Sequence, residues 1–465
     1  MLKNFIISNR LILSNILSNF YIIISFFFLI FVFYRSEIIY EGLRDDFYFK
    51  FKVLAFCFVC FAILSFFLSY KINLTLFIII FLGVSAIYIC EIYLILVNKK
   101  IQNKVYISQQ IKEAFFIKNN IQFDERTKLE IYQENKKLNK DIVAKYSPGA
   151  LLGSNNLEVF PLSGIANKLT IYCNENGYYS KYFSDRYGFN NDNEVWDNDN
   201  IDIMILGDSY AHGACVNRPD DLTSQLKLIS QKNVVTVGYE GNGPLLSYAA
   251  FKEFSSDKKL DKVVYIFNES NDFNEIKREI NNKILKRYLD DIKFSQSITS
   301  KQKMVDKIIY ENLLNYYEQF LKNASNKKKI EYKESISVII KRFIFFYRVR
   351  YQLNEKFAFD EEDFEPLEKI FKNYKKISKE RNFDFYIIFM PSFQRLVNKL
   401  EVNRLAKAKE IAEKNNIKYL DVHEDIFGKM QNSLQILPFE MKGKIDDLNA
   451  KGYRIIANEV LDMIN

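Results

Sequence analysis

The sequence predicts an α/β protein: a doubly wound parallel sheet of about five strands with helices on both sides, three transmembrane helices before it and a helical insertion within it. Three observations carry this prediction. The first hundred residues are dominated by Phe, Ile and Leu. From Ile201 onward, short apolar runs recur with helical patterning between them. The first of these runs ends in Gly207-Asp208-Ser209, and the next two end in glycine-rich or Asn/Asp-rich turns.

The transmembrane region covers residues 1–100, with spans at about 16–34, 51–70 and 72–97. Each is long enough for a hydrocarbon core of about 30 Å, which needs about 20 residues. The first run is too long for a cleavable signal peptide, and no small-residue cleavage site follows it. Cys57, Cys60 and Cys90 fall in these runs as small apolar fillers; the Cys57/Cys60 spacing lacks a βαβ context for redox chemistry. Glu91 interrupts the third span. It is either a functional carboxylate or a group near enough to the span's end to reach the interface.

Charge around the spans gives a conflicting signal. Lys3, Arg10 and Lys71 lie on one side, and Arg35, Arg44, Lys50, Lys52, Lys99, Lys100 and Lys104 on the other. The positive-inside rule therefore puts the soluble part in the cytoplasm, although large domains translocate regardless of flanking charge. The net charge of +8 is spread over many Lys and Asp/Glu pairs. No dense basic stripe suggests a nucleic-acid backbone as partner; the expected partner is the lipid bilayer.

Residues 101–200 read as a connecting region. Its first part is helical and charged, with Phe115, Phe116, Ile117 and Ile121 as anchors. Leu169–Cys173 and Tyr178–Phe183 read as strands, and the Asn176-Gly177 pair between them is a hairpin signal.

Residues 201–465 form the α/β domain. Ile203–Leu206, Val234–Val237, Val263–Phe267, Phe385–Met390 and Tyr419–Val422 are apolar runs of the kind that buried parallel strands require. A closing helix runs from about Ala450 to Ile464, with Ile456, Val460 and Ile464 on one face. The insertion, at about 275–370, is Lys-rich and helical, with Ile276, Ile280, Ile284 and Leu285 in register. Within it, Ser337–Tyr351 mixes Lys341, Arg342, Arg348 and Arg350 with aromatic residues. It fits either a membrane-surface helix or a helix packed on the core.

In doubly wound sheets, ligands bind beyond the carboxyl ends of the strands. A serine at a strand-to-helix turn exposes its hydroxyl beside helix N-terminal N–H groups. A glycine in the second loop and an asparagine in the third supply further donors, so the set reads as a nucleophile with an oxyanion hole.

Gly207-Asp208-Ser209, the Gly238–Gly243 loop, Ser270-Asn271-Asp272 and the late Leu448-Asn449-Ala450-Lys451-Gly452-Tyr453 block resemble the SGNH hydrolases, also called GDSL-type esterases and lipases. The resemblance runs from about Ile201 to the C-terminus. It implies Ser209 as nucleophile and Gly241 and Asn271 as oxyanion donors. The frame departs at its base: Asp447 stands where the family has its catalytic His, and Lys444 where it has the supporting Asp. The two histidines of the chain, His212 and His423, are the substitute bases to consider. Cys173 and Cys215 flank the same site, either as a disulfide, which would imply an oxidising compartment, or as two buried thiols.

The expected function is a membrane-anchored acyl-ester hydrolase or O-acyltransferase of an envelope glycan or lipid, with no cofactor and no metal. A catalytically degenerate scaffolding or binding protein on the same fold is the alternative. The expected location is a bacterial-type inner membrane, with the soluble domain extracytoplasmic.

Overall fold

A computed structural model describes the chain except residues 1, 40–44, 119, 121, 155–156, 326–339, 341, 351–362, 393–394, 396–402 and 441–446. Arg44, Ile121, Lys341, Tyr351, Lys444 and residues 337–339 of the sequence readings therefore lie outside the described residues. The chain divides into two units, Met1–Tyr106 with Tyr332–Glu361, and Ile107–Glu331 with Glu362–Asn465.

In the first unit, helices Leu2–Phe33 and Asp45–Leu64 and the long helix Tyr70–Lys118 carry the apolar runs. Three stretches, Ile12–Ile38, Tyr48–Phe67 and Tyr70–Leu96, are long and apolar enough to cross a membrane. The last helix continues well past the predicted end of its span. Many large apolar side chains stay exposed, among them Phe27, Phe56, Phe81 and Ile89; in water such a surface would be costly, whereas lipid tails accept it.

Several buried polar groups in this unit pair with one another. Asn73 donates to Ser14 Oγ at 2.9 Å and to Ser65 O at 2.9 Å, tying the tight turn after the second span to the first helix. Glu91 is fully buried and accepts from the backbone N–H groups of Arg348 (3.1 Å) and Val349 (2.9 Å), with Arg348 Nη1 at 3.3 Å. Phe345 stacks on Phe31, and Tyr88 meets Phe343 and Phe346. The described part of the basic-aromatic segment thus packs on the apolar helices of this unit, a third outcome beside the membrane surface and the α/β core. It is also not one helix: the chain turns at Phe345–Phe346, and Phe346 has φ of 49°.

The second unit is built on a five-stranded parallel sheet. Small strands β1 (Val143–Ala144), β2 (Leu169–Ile171) and β3 (Lys181–Phe183) precede it as a separate three-stranded sheet. β2 and β3 pair antiparallel, as the Asn-Gly signal between them requires. The main strands are β4 (Asn200–Gly207), β5 (Val234–Thr236), β6 (Lys259–Asn268), β7 (Asp384–Met390) and β8 (Lys418–Asp421), in spatial order β5-β4-β6-β7-β8.

Side chains alternate along each strand, and both faces are buried. Met204, Leu206, Val263, Tyr265, Ile387 and Phe389 enter one core, which holds helices Pro244–Phe254 and Glu365–Arg381. Ile203, Ile205, Val264, Ile266, Tyr386 and Ile388 enter the other, covered by helices Leu222–Ser230 and Ala450–Ile464. This two-sided cover is why the runs read as continuously apolar.

The order places β5 and β6 on opposite sides of β4. Successive connections therefore leave β4 in opposite directions, and the crevice of a doubly wound sheet opens beyond its carboxyl end. That end is Gly207.

Candidate active site

Gly207 has φ of +137°, and a Cβ there would meet Ile266 O at 2.6 Å. A Cβ on Gly238, in the next loop, would meet the Ala211 Cβ at 2.3 Å. The two glycines let the turn after β4 pass between its neighbours, and Ser209 then opens the short helix Ser209–His212. Asp208 caps that helix, accepting from Tyr210 N–H at 3.3 Å. Ser209 remains half-buried, while the residues around it are buried.

Asp208 is 1% exposed and makes the central hub. Its Oδ2 accepts from Asn268 Nδ2 at 2.8 Å and from Asn271 Nδ2 at 2.9 Å. Burial pushes its carboxyl up, while the two amides act in the opposite direction. An amide nitrogen carries two N–H groups. Asp208 holds one of those on Asn271, which orients the other. Beneath them Asp272, which is also buried, accepts from Tyr265 OH at 2.7 Å and from Asn268 N–H at 3.1 Å.

Gly241 has φ of +83°, a conformation that favours glycine, and a Cβ there would meet Ser147 Oγ at 2.3 Å. Ser147 Oγ donates to Glu240 O at 2.7 Å, so the segment after β1 props this loop. The Glu240 carboxylate pairs with Lys145 Nζ at 2.6 Å. Burial raises its pKa, but Lys145 and then Lys128 outweigh burial and hold it at about 2.

Asp447 belongs to the same constellation. The Ser209 hydroxyl faces its carboxyl and favours the ionised form. Burial and the neighbouring Glu175, Glu240 and Asp208 carboxylates act more strongly, and hold it well above the usual carboxylate range. Its backbone N–H donates to Glu175 Oε2 at 3.0 Å. Cys173 and Cys215 form a disulfide, and the Cys215 sulfur lies 3.6 Å from Asp447 Oδ2. The hairpin is thereby fastened to the turn that follows Ser209.

The histidines sit elsewhere. His212 is fully buried between Tyr172, Tyr182 and Tyr239, with ring centroids at 4.5, 5.1 and 4.3 Å. Its Nδ1 accepts from Glu240 N–H at 3.2 Å. Burial, then the Lys145 charge, lowers its pKa to about 3. It is a neutral structural ring and unsuited as a base for Ser209. His423 begins the turn after β8, where its N–H donates to Asp421 Oδ1 at 3.0 Å. β8 is three strands from β4, a distance of about 14 Å at the usual strand spacing. His423 therefore begins its turn about three strand spacings from the end of β4.

Sequence reasoning missed Glu175, Glu240, Asn268 and Lys145. Asn268 was legible as part of the polar cluster ending its strand. The other three reach the site through long-range loops and carry no local signal.

No family model matches the chain, and no curated protein matches it. Among solved structures, it is similar to the crystal structure of an acetyl xylan esterase, AlAXEase, at 12% identity and a TM-score of 0.30, over 56% of this chain and 98% of that one. It is also similar to the crystal structure of the lipase/acylhydrolase from Enterococcus faecalis, at 13% identity and a TM-score of 0.29, over 57% of this chain and 95% of that one.

Proposed function

We propose that this chain is a membrane-anchored serine acyl-ester hydrolase, with Ser209 as nucleophile and Asp447 in the place of the usual imidazole. The observation that carries this reading is the Asp447 carboxyl seated against the turn that Ser209 opens, 3.6 Å from the Cys215 sulfur, where the Ser209 side chain favours its ionised form. An ordinary Asp, with a pKa of about 3.9, is a weak base. An Asp raised by burial and by like charges is a stronger one, closer to the range in which proton transfer is efficient.

In the proposed step, Asp447 takes the Ser209 proton as the oxygen bonds to the ester carbonyl carbon. The carbonyl oxygen becomes an oxyanion held by the Ser209 N–H, Gly241 and the second N–H of Asn271. The C–O bond to the alcohol then breaks, and protonated Asp447 returns its proton to the leaving alkoxide. Water repeats the cycle on the acyl-serine and releases a carboxylic acid. If a second alcohol replaces water, the same site is an O-acyltransferase. The three apolar helices favour an acylated glycan or lipid of the envelope as substrate, and the disulfide favours an extracytoplasmic domain.

The absence of an imidazole facing Ser209 among the described residues favours a second reading, a scaffold that binds an acylated ligand without cleaving it. A fluorophosphonate probe separates the two. The hydrolase reading expects stoichiometric labelling at Ser209, abolished by Ser209→Ala; folded protein that stays unlabelled at every pH overturns it.

A further inference from the structure

Among the described residues, the backbone N–H of Asp447 is tied from outside its own segment. Glu175 sits at the tip of the hairpin between β2 and β3, and its Oε2 accepts that N–H at 3.0 Å. The hairpin is fixed at several further points. Asn174 Nδ2 donates to Asp124 O at 2.7 Å, and Asn176 Nδ2 donates to Cys215 O at 3.0 Å. The Cys173–Cys215 disulfide closes the same loop onto the turn behind Ser209, with the Cys215 sulfur against Asp447 Oδ2. Gly177, at φ of +90°, leaves no room for a Cβ beside Gln122 O, so the loop tip is set by its backbone.

We propose that Glu175 is a positioning residue for the Ser209–Asp447 pair: it holds the Asp447 backbone beside Ser209, and its carboxylate governs the charge that Asp447 can carry. The inference rests on the hydrolase reading and deepens it by naming how the base is controlled. Two carboxyl groups at close quarters do not both ionise easily. Among the described residues, the groups acting on Asp447 include Glu175 from the hairpin, Asp208 and Ser209 from the turn after β4, Glu240 from the loop after β5, and Tyr172 and Tyr453 from the surrounding core. Glu240 is answered by Lys145 at 2.6 Å. Glu175 approaches most directly, through the peptide of Asp447 itself. The disulfide keeps that approach in place.

The test uses the full chain in detergent or nanodiscs. Glu175→Gln keeps an oxygen that can accept the Asp447 N–H and removes the charge. Its pH profile of Ser209 labelling is expected to rise at a pH about one unit lower than that of the natural protein. Glu175→Ala removes both features, and is expected to show the same shift together with a labelling rate about tenfold lower at the plateau. A Glu175→Gln profile that superimposes on the natural one overturns the proposal. A second readout does not need the serine to react. The carboxylic-acid infrared band lost in Asp447→Asn titrates at lower pH in Glu175→Gln if Glu175 sets the charge, and an unmoved band overturns the proposal even where no labelling occurs. Failure of labelling with a shifted band would sink the hydrolase reading and leave the role of Glu175 standing.

Discussion

The carboxyl ends of β4 and β8 both gather buried acidic groups, and they treat them in opposite ways. At β8, Asp421 is met by Arg395 Nη2 at 2.8 Å and Lys409 Nζ at 2.5 Å, and Arg395 also reaches Glu269 at 3.5 Å. Burial raises the Asp421 pKa, but these cations outweigh it and hold the group below its ordinary value. Beyond β4, burial and then the Glu175, Glu240 and Asp208 carboxylates raise Asp447 and hold its pKa high. Lys145, in the strand-end segment beside the loop after β5, pairs with Glu240. The same sheet thus holds one buried carboxyl below its ordinary pKa and the other above it. A raised carboxyl pKa in a crevice beside a hydroxyl is the pattern expected of a working site.

The comparison can be broken by experiment. The largest effect is expected at β4: Ser209→Ala abolishes phosphonate labelling, and Asp447→Asn lowers its rate by about 10²–10⁴-fold, measured by intact-protein mass spectrometry. In the natural protein, labelling should rise with pH through the elevated Asp447 value, because the protonated acid cannot take the serine proton.

At β8 the effect should fall on stability instead. Arg395→Met leaves Asp421 and Glu269 buried without their main partner, and should cost about 3–5 kcal/mol in denaturant unfolding. The sign of the pH dependence also separates the clusters. Asp421 is depressed in the fold, so its contribution is present above its unfolded pKa of about 3.9 and is lost as pH falls through the folded value. Asp447 is raised, so its contribution is present below that same unfolded pKa and is lost as pH rises through the folded one. Asp447→Asn should therefore stabilise the protein at pH 8 by about 1 kcal/mol or more, the equivalent of one pKa unit. Glu279, raised to about 8 by burial, should behave in the same sense, with Glu279→Gln flattening the alkaline side of the stability curve. The smallest effect is expected from His423→Ala, whose labelling rate should stay within about twofold of the natural protein, since it lies about three strand spacings from the site.

Much of this was legible in the sequence, for physical reasons that differ by element. Buried parallel strands must be apolar on both faces, so Ile203–Leu206 and Phe385–Met390 announced themselves. The closing helix was readable from its apolar spacing and from Asn449, which caps it by accepting from Gly452 N–H at 2.9 Å. Ser209 and Asn271 were readable because their loops follow strands directly. The role of His212 was not: proximity in sequence to Ser209 placed it on the right turn, but its side chain points into an aromatic cage. Neither Glu175 nor the docking of the segment around Arg348 on the spans could be read, because both are contacts between residues far apart in sequence.

The seating of that segment has a topological consequence. After the helix Gln302–Ser325 and before Glu365–Arg381, the chain leaves the sheet-bearing unit, passes Glu91 among the spanning helices, and returns. Three backbone passages join the two units, and they are not equivalent: a proteolytic nick at the second or third leaves the three apolar helices covalently joined to Ile107–Glu331, whereas a nick at the first leaves them held only by contacts such as that of Glu91 with the Arg348 segment.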